Sequence, residues 1–200
     1  MKKINENKNT KKYWNAIYDR QIMRGNFNVQ RMLIKKVREA IVDCKTVLDI
    51  GCGNGLFVNY CKQFGYKSKG IDHSDRIIKF CNIRYGNNFI AADINTLKLK
   101  ENSVDCITML EVLEHLDNPV GTIEKAKKWC KKQLIVTVPN GNSIKSSEHV
   151  WTFIKADLED LDFEVSTFNK DSRLLGVYNK VIDTKATNED VKIYKNKTYE

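Results

Sequence analysis

The 200-residue sequence predicts an α/β fold, with a mostly parallel seven-stranded sheet, an antiparallel hairpin at one edge and helices on both faces. Three observations carry this. Short apolar runs alternate with segments of helical periodicity, the pattern of right-handed βαβ units. Three successive runs end in an acid, at Asp49, Asp72 and Asp93, just before a turn or helix start. The last two runs have no helix between them, so they are expected to pair antiparallel.

Taken in order, residues 1–12 are mostly Lys and Asn with little apolar content, and a flexible basic arm is expected there. A single domain should fill 13–185, its first two helices (13–45) covering a ligand, and 186–200 reads as a polar tail. Tyr13, Trp14, Ile17 and Tyr18 have helical spacing, as do Val29, Met32, Leu33, Val37, Ala40 and Ile41. Val47 to Ile50 is a buried strand, followed by Gly51, Gly53 and Gly55 in a G-x-G-x-G turn and a helix from Leu56 to about Phe64. Strands at 67–71 and 88–92 flank a helix that Ser74 can cap. Val104 to Leu110 is the fourth strand, and Glu111 opens a short helical segment. Pro119 begins the next helix, 133–138 is the fifth strand, and a helix near 155–161 precedes closing strands at 163–168 and about 174–182.

The chain has enough apolar residues, 42%, for one sizeable core, and six cysteines without a C-x-x-C pair read as reduced core residues. No apolar run approaches the roughly 20 residues that cross a bilayer, so a soluble, cytoplasmic protein is expected. The net charge of +9 leaves a polyanionic partner such as RNA open. The cluster Lys125, Lys127, Lys128, Lys131 and Lys132 reads equally as a solvated surface near a helix C-terminus.

In an open parallel sheet the ligand sits beyond the carboxyl ends of the strands. The Gly-rich turn lets a ligand approach the peptide backbone, and Leu56 stands where a dinucleotide fingerprint would need a further glycine. Asp72, about 20 residues on, is placed to accept from two ribose hydroxyls. On a helix Glu111, Glu114 and His115 would share one face, a group suited to general base work or to a divalent cation such as Mg. His149 lies in the long connection after the fifth strand, which commonly borders a substrate pocket.

These motifs resemble class I S-adenosylmethionine-dependent methyltransferases, and from Arg31 to about Leu161 the chain is most similar to the O-methyltransferases of ubiquinone biosynthesis. The resemblance implies a Rossmann-like fold and S-adenosylmethionine as cofactor. It sets Asp49, Gly51, Leu110 and Arg31, which stands 18 residues before Asp49, around the methionine part, and Asp93 and Ile94 at adenine. It also implies a cation on Glu111, Glu114 and His115, and matches His149 to a family histidine in a similar stretch. A Tyr-Asn-Pro segment and a groove for a prenyl tail are missing, so the acceptor does not transfer with the fold.

The expected activity is methyl transfer to a hydroxyl oxygen of a small molecule, with His115, His149 or Glu114 in the proton transfer. Two alternatives stand beside it. Small-RNA ribose 2′-O-methyltransferases use a similar Glu/Glu/His/His metal set, and a non-catalytic cofactor-binding partner would need the loop but not the Glu/His group.

Overall fold

The computed structural model describes residues 1–25, 27, 30–141, 143 and 146–181. Val29, the expected strand end at Ile182 and the 186–200 tail lie outside them. Two helices, α1 (Lys11–Arg24) and α2 (Arg31–Ala40), precede the first long strand, β2 (Thr46–Ile50). Helix α3 (Leu56–Gln63), β3 (Lys67–Asp72), α4 (Asp75–Tyr85) and β4 (Phe89–Ala91) then build outward on one side. The chain returns across β2 to add β5 (Val104–Leu110), α5 (Pro119–Trp129) and β6 (Cys130–Pro139) on the other. After α6 (Lys155–Glu159), the hairpin of β8 (Glu164–Phe168) and β9 (Arg173–Asn179) closes the edge.

The strand order is β4-β3-β2-β5-β6-β9-β8, parallel from β4 to β6 and antiparallel over the last three. The expected seven-stranded sheet is therefore present. Its order reverses between β2 and β5, and a crevice opens there beyond the strand ends. The central strands are buried on both faces, with Val47, Ile107, Leu134 and Val136 at 2% exposure or less. Continuous apolar runs rather than alternation are the sequence signature of such strands.

The turns follow from local chemistry. Ser74 accepts from the Ile77 amide and starts α4, and Asn118 accepts from the Gly121 amide with Pro119 at the first helical position of α5. Gly51 (φ 76°) and Gly55 (φ 72°) are left-handed, and a Cβ on either would meet Val112 Cγ2 at 2.4 Å or Phe89 Cε1 at 2.7 Å. Only glycine satisfies both the angle and the space.

Three expectations need correction. Residues 1–12 are docked rather than a free arm. Strand β1 (Lys2–Lys3) pairs antiparallel with β7 (Trp151–Thr152), and Asn5, Asn7 and Asn9 donate side-chain hydrogen bonds to the body of the domain. Amides satisfy buried carbonyls that an apolar residue would leave bare. Lys127 is not a solvated lysine, being 9% exposed, paired with Asp162 and Glu124, and 4.8 Å from the Tyr178 ring centre. The helical segment after β5 is a single 3₁₀ turn, Leu113–His115, and Glu111 precedes it in the left-handed region at φ 56°. Glu111, Glu114 and His115 therefore do not follow the helical spacing that the sequence predicts. All six cysteines are free, five of them buried.

Candidate active site

The crevice is a cleft of about 430 Å³. Its floor is Ile50, Gly51, Ile71 and Asp72, one wall runs from Ala91 to Asn95, and the other runs from Glu111 to Asp117. Asn7, Asn9, Thr10, Lys11, Trp14 and Tyr18 form the roof. Helix α1 buries none of its own residues, so its aromatic stripe is free to cover the cleft rather than fill the core.

Asp72 ends β3 at 7% exposure. Its Oδ2 accepts from the Gly53 amide at 3.1 Å and its Oδ1 from the Ser74 amide at 2.9 Å, so the acid ties the Gly-rich turn to the start of α4. Burial raises its pKa against these two donors. Burial, with the nearby Asp72 carboxylate, pushes the Tyr18 phenol well above its usual range. Asp93 and Ile94 line the cleft, and Asp93 Oδ1 accepts from the Asn95 amide at 2.8 Å.

Asp49 lies beneath the floor at 2% exposure and is not a lining residue. Its Oδ1 accepts from Thr108 Oγ1 at 2.7 Å, yet burial, with Asp72 nearby, pushes its pKa up to about 7. Gly53 and Gly55 shape the turn, and of the three glycines only Gly51 lines the cleft. Leu110 is half-buried behind that wall. Arg31 is exposed at the start of α2, in a separate hollow with Phe168, Asn169 and Arg173.

The Glu/His group divides. Glu111 Oε2 accepts from Arg173 Nε at 2.9 Å, and its Oε1 is buried without a hydrogen-bond partner. Glu114, 1% exposed, has neither oxygen bonded, and burial, with Glu111 adding to it, pushes its pKa well above the carboxylate range. One donor atom each from Glu114, His115 and His149 lie within 4.8 Å of one another. His115 Nδ1 stands 3.0 Å from the Glu148 carbonyl. A carbonyl only accepts, so Nδ1 carries the proton and Nε2 a lone pair. Burial pushes the His115 pKa down to about 4, so the imidazole is neutral and its 3.9 Å approach to Glu114 is not an ion pair.

The arm fixes this region. Asn9 Nδ2 donates to the carbonyls of His115 (3.1 Å) and Glu148 (2.8 Å), and Asn5 Nδ2 to that of His149 (2.7 Å). The Tyr13 hydroxyl donates to Glu148 Oε1 at 2.9 Å. Burial works against ionisation of Glu148, but hydrogen bonds from Ser146 and Tyr13 outweigh it and hold its pKa below the usual value. The Trp14 ring meets His115 edge to face at 5.3 Å.

Sequence reasoning missed Asn9, Trp14, Tyr18 and Arg173 as cleft groups. The aromatic spacing of α1 was visible but reads equally as core. Arg173 carried no local signal, because it reaches Glu111 only through the antiparallel register that sets it opposite Pro139.

A nucleoside-sized cleft at the switch point of this strand order, floored by a Gly-rich turn and a strand-end acid, is the arrangement of a nucleoside-binding α/β domain. The fold is that of the class I S-adenosylmethionine-dependent methyltransferases. Residues 48–138 match the family model described as "Methyltransferase domain". A ubiquinone biosynthesis O-methyltransferase from Nitrosospira multiformis is 30% identical over 100 residues, 47% of this chain and 42% of that protein. The mitochondrial counterpart from Arabidopsis thaliana is 29% identical over 107 residues, 50% of this chain and 31% of that protein. The chain thus spans less than half the length of these relatives. Among solved structures, an S-adenosylmethionine-dependent methyltransferase from Archaeoglobus fulgidus superposes with TM-score 0.65 at 18% identity, covering 86% of this chain and 95% of that one. Magnesium protoporphyrin IX methyltransferase from Synechocystis, solved with bound S-adenosylhomocysteine, gives TM-score 0.63 at 16% identity over 86% and 98%. Among the described residues no helix is long and apolar enough to cross a membrane.

Proposed function

We propose that this chain transfers a methyl group from S-adenosylmethionine to a hydroxyl oxygen of a small molecule. The observation that carries the oxygen acceptor is His115, a neutral imidazole on the cleft wall whose Nδ1 is committed to Glu148 and whose Nε2 keeps a lone pair. The cofactor reading is supported by the open backbone at Gly51, where a Cβ would strike Val112, and by the carboxylate of Asp72 on the cleft floor. The O-methyltransferase relatives favour oxygen over nitrogen or carbon.

When bound, the cofactor supplies a methyl carbon made electrophilic by the sulfonium. The protein's part is to orient, to exclude water and to take the hydroxyl proton. Asp72 would accept from the ribose hydroxyls, Asp93 and Ile94 would border the adenine, and Gly51, with Leu110 behind the wall, would stand beside the methionine part. Trp14 and the arm shut out water. His115 Nε2 receives the acceptor's proton, a step typically worth about 100- to 10,000-fold. Arg31 has no part in this reading, since it stands outside the cleft lining.

One observation favours adding a cation. Glu114 offers two buried, unbonded oxygens beside His115 and His149. These three residues would hold it, and since it would occupy the His115 Nε2 lone pair, it would lower the pKa of a bound hydroxyl in place of proton removal by His115. Glu111 stands apart, held by Arg173. Thermal shift with Mg²⁺, Mn²⁺ and Zn²⁺ against a Glu114→Gln variant tests the cation.

The main test is a panel of phenols, catechols, polyols, amines and RNA with radiolabelled cofactor. Turnover of hydroxyl compounds that His115→Ala abolishes without loss of S-adenosylhomocysteine binding is expected. Turnover confined to amines or RNA overturns the proposal.

A further inference from the structure

The mechanism above leaves Glu111 unused, although its placement is costly to maintain. The residue is not glycine, yet its φ is 56°, a left-handed conformation that costs roughly 1–2 kcal/mol. The chain holds it there through its amide, which donates to the Thr137 carbonyl at 2.9 Å. The side chain lines the cleft next to Gly51 and Val112, where the Gly-rich turn and the end of β5 come together. One oxygen is taken by Arg173, and the other, Oε1, is buried with no hydrogen-bond partner. A buried carboxylate with half of its acceptor capacity unfilled lacks a donor, and a cationic donor fits it best.

We propose that Glu111 receives the α-ammonium of the cofactor's methionine part, and that Arg173 is the positioning residue that holds Glu111 at the cleft wall. The inference rests on the S-adenosylmethionine reading of the site. The chemistry favours the ammonium over a metal ion at this position. Glu111 already carries one cationic partner, so it has a single oxygen left for an N–H donor. Burial raises the Glu111 pKa, and the Arg173 guanidinium works against it. The Glu111–Arg173 pair is then a dipole set against the zwitterionic end of the ligand. The adenosine end depends on residues elsewhere in the cleft.

The experiment uses three probes on the full chain by calorimetry: S-adenosylhomocysteine, its deamino analogue with hydrogen in place of the α-ammonium, and 5′-methylthioadenosine, which lacks the amino-acid part altogether. Wild type should bind S-adenosylhomocysteine about 10- to 100-fold more tightly than the deamino analogue, the range of a charge-assisted hydrogen bond. Glu111→Gln should bring that ratio close to one while leaving 5′-methylthioadenosine affinity within about twofold. That unchanged affinity also reports an intact fold. Arg173→Met should lower the ratio in the same direction without touching the ligand. Should either single variant fold poorly because it strands the other's charge, the double variant Glu111→Gln/Arg173→Met leaves no orphaned charge and is expected to behave as Glu111→Gln. A ratio that stays at the wild-type value in Glu111→Gln or in the double variant overturns the assignment. Failure of wild type to bind any of the three probes overturns the cofactor reading itself.

Discussion

Asp49 offers a prediction whose magnitude follows from its surroundings. The acid is 2% exposed at the end of β2, has one hydrogen bond from Thr108 and no cationic partner among its hydrogen bonds and ion pairs. Its folded pKa of about 7 against the usual 3.8 means that the folded state binds the proton more tightly than the unfolded chain does. Stability must then fall as pH rises, starting near the unfolded pKa and levelling off above the folded one. Each pH unit inside that window is worth about 1.4 kcal/mol. Asn at this position keeps an acceptor for Thr108 and cannot ionise. The stability advantage of Asp49→Asn over wild type should therefore grow by roughly 3 kcal/mol between pH 5 and pH 8, most of it below pH 7. Urea unfolding of both proteins, free of cofactor, at half-unit steps measures the difference. Groups that do not interact with Asp49 contribute alike to the two curves and cancel, so the difference reports Asp49 together with its neighbour Asp72. Parallel curves from pH 5 to 8 would show that Asp49 is ionised in the folded protein throughout, and the burial argument would fail.

Three further outcomes are expected. Gly51→Ala should cost roughly 2–4 kcal/mol in urea unfolding, from the left-handed backbone and from the contact with Val112. Adding Val112→Ala should recover only the contact part, and full recovery would show that the backbone angle carries no cost. Asn9→Ala removes two hydrogen bonds, to His115 and Glu148, worth about 1–3 kcal/mol together. Amide exchange at Ile4 and Val150 should quicken while that of central β5 stays slow, and uniform change across both would instead indicate global destabilisation. Asp72→Ala should weaken S-adenosylhomocysteine binding at least 100-fold, and near-native affinity in calorimetry would remove Asp72 from the ribose site.

The legible part of this protein is the part whose physics is local. A strand buried on both faces must be apolar along its length, a tight turn needs glycine, and an acid at a strand end sits where helix starts and ligand hydroxyls gather. Residues 46–138 show all three, and the structure has the mostly parallel seven-stranded sheet that the whole sequence implied. Glu111 was misplaced because helical spacing was assumed where the chain makes one 3₁₀ turn. A spacing rule cannot foresee a left-handed residue that a backbone bond to Thr137 holds in place. The arm was misread for a different reason. Its Lys and Asn content lacks the apolar area that usually docks a segment, but its asparagines answer carbonyls of residues more than 100 positions away. Composition records how many amides a segment has, and the fold alone determines what they meet.

That asymmetry bears on function. The cofactor side of the cleft is made by β2, β3 and β4 with the turns that follow them, so its residues are close in sequence and constrained by the sheet. The side that faces the acceptor joins four remote pieces: the arm, the 3₁₀ turn, the segment around His149 and, through Arg173, the edge hairpin. Their contacts are mostly side-chain amides on backbone carbonyls, with bonds that an Asn of the arm can make and most replacements cannot. A change in the arm therefore moves His115 and His149 together, because Asn9 bonds the carbonyls of His115 and Glu148 and Asn5 that of His149. The cofactor floor, tied through Asp72 to Gly53 and Ser74, is untouched by it. Within one such domain the acceptor specificity can thus diverge through the first dozen residues while cofactor binding stays fixed by the strands.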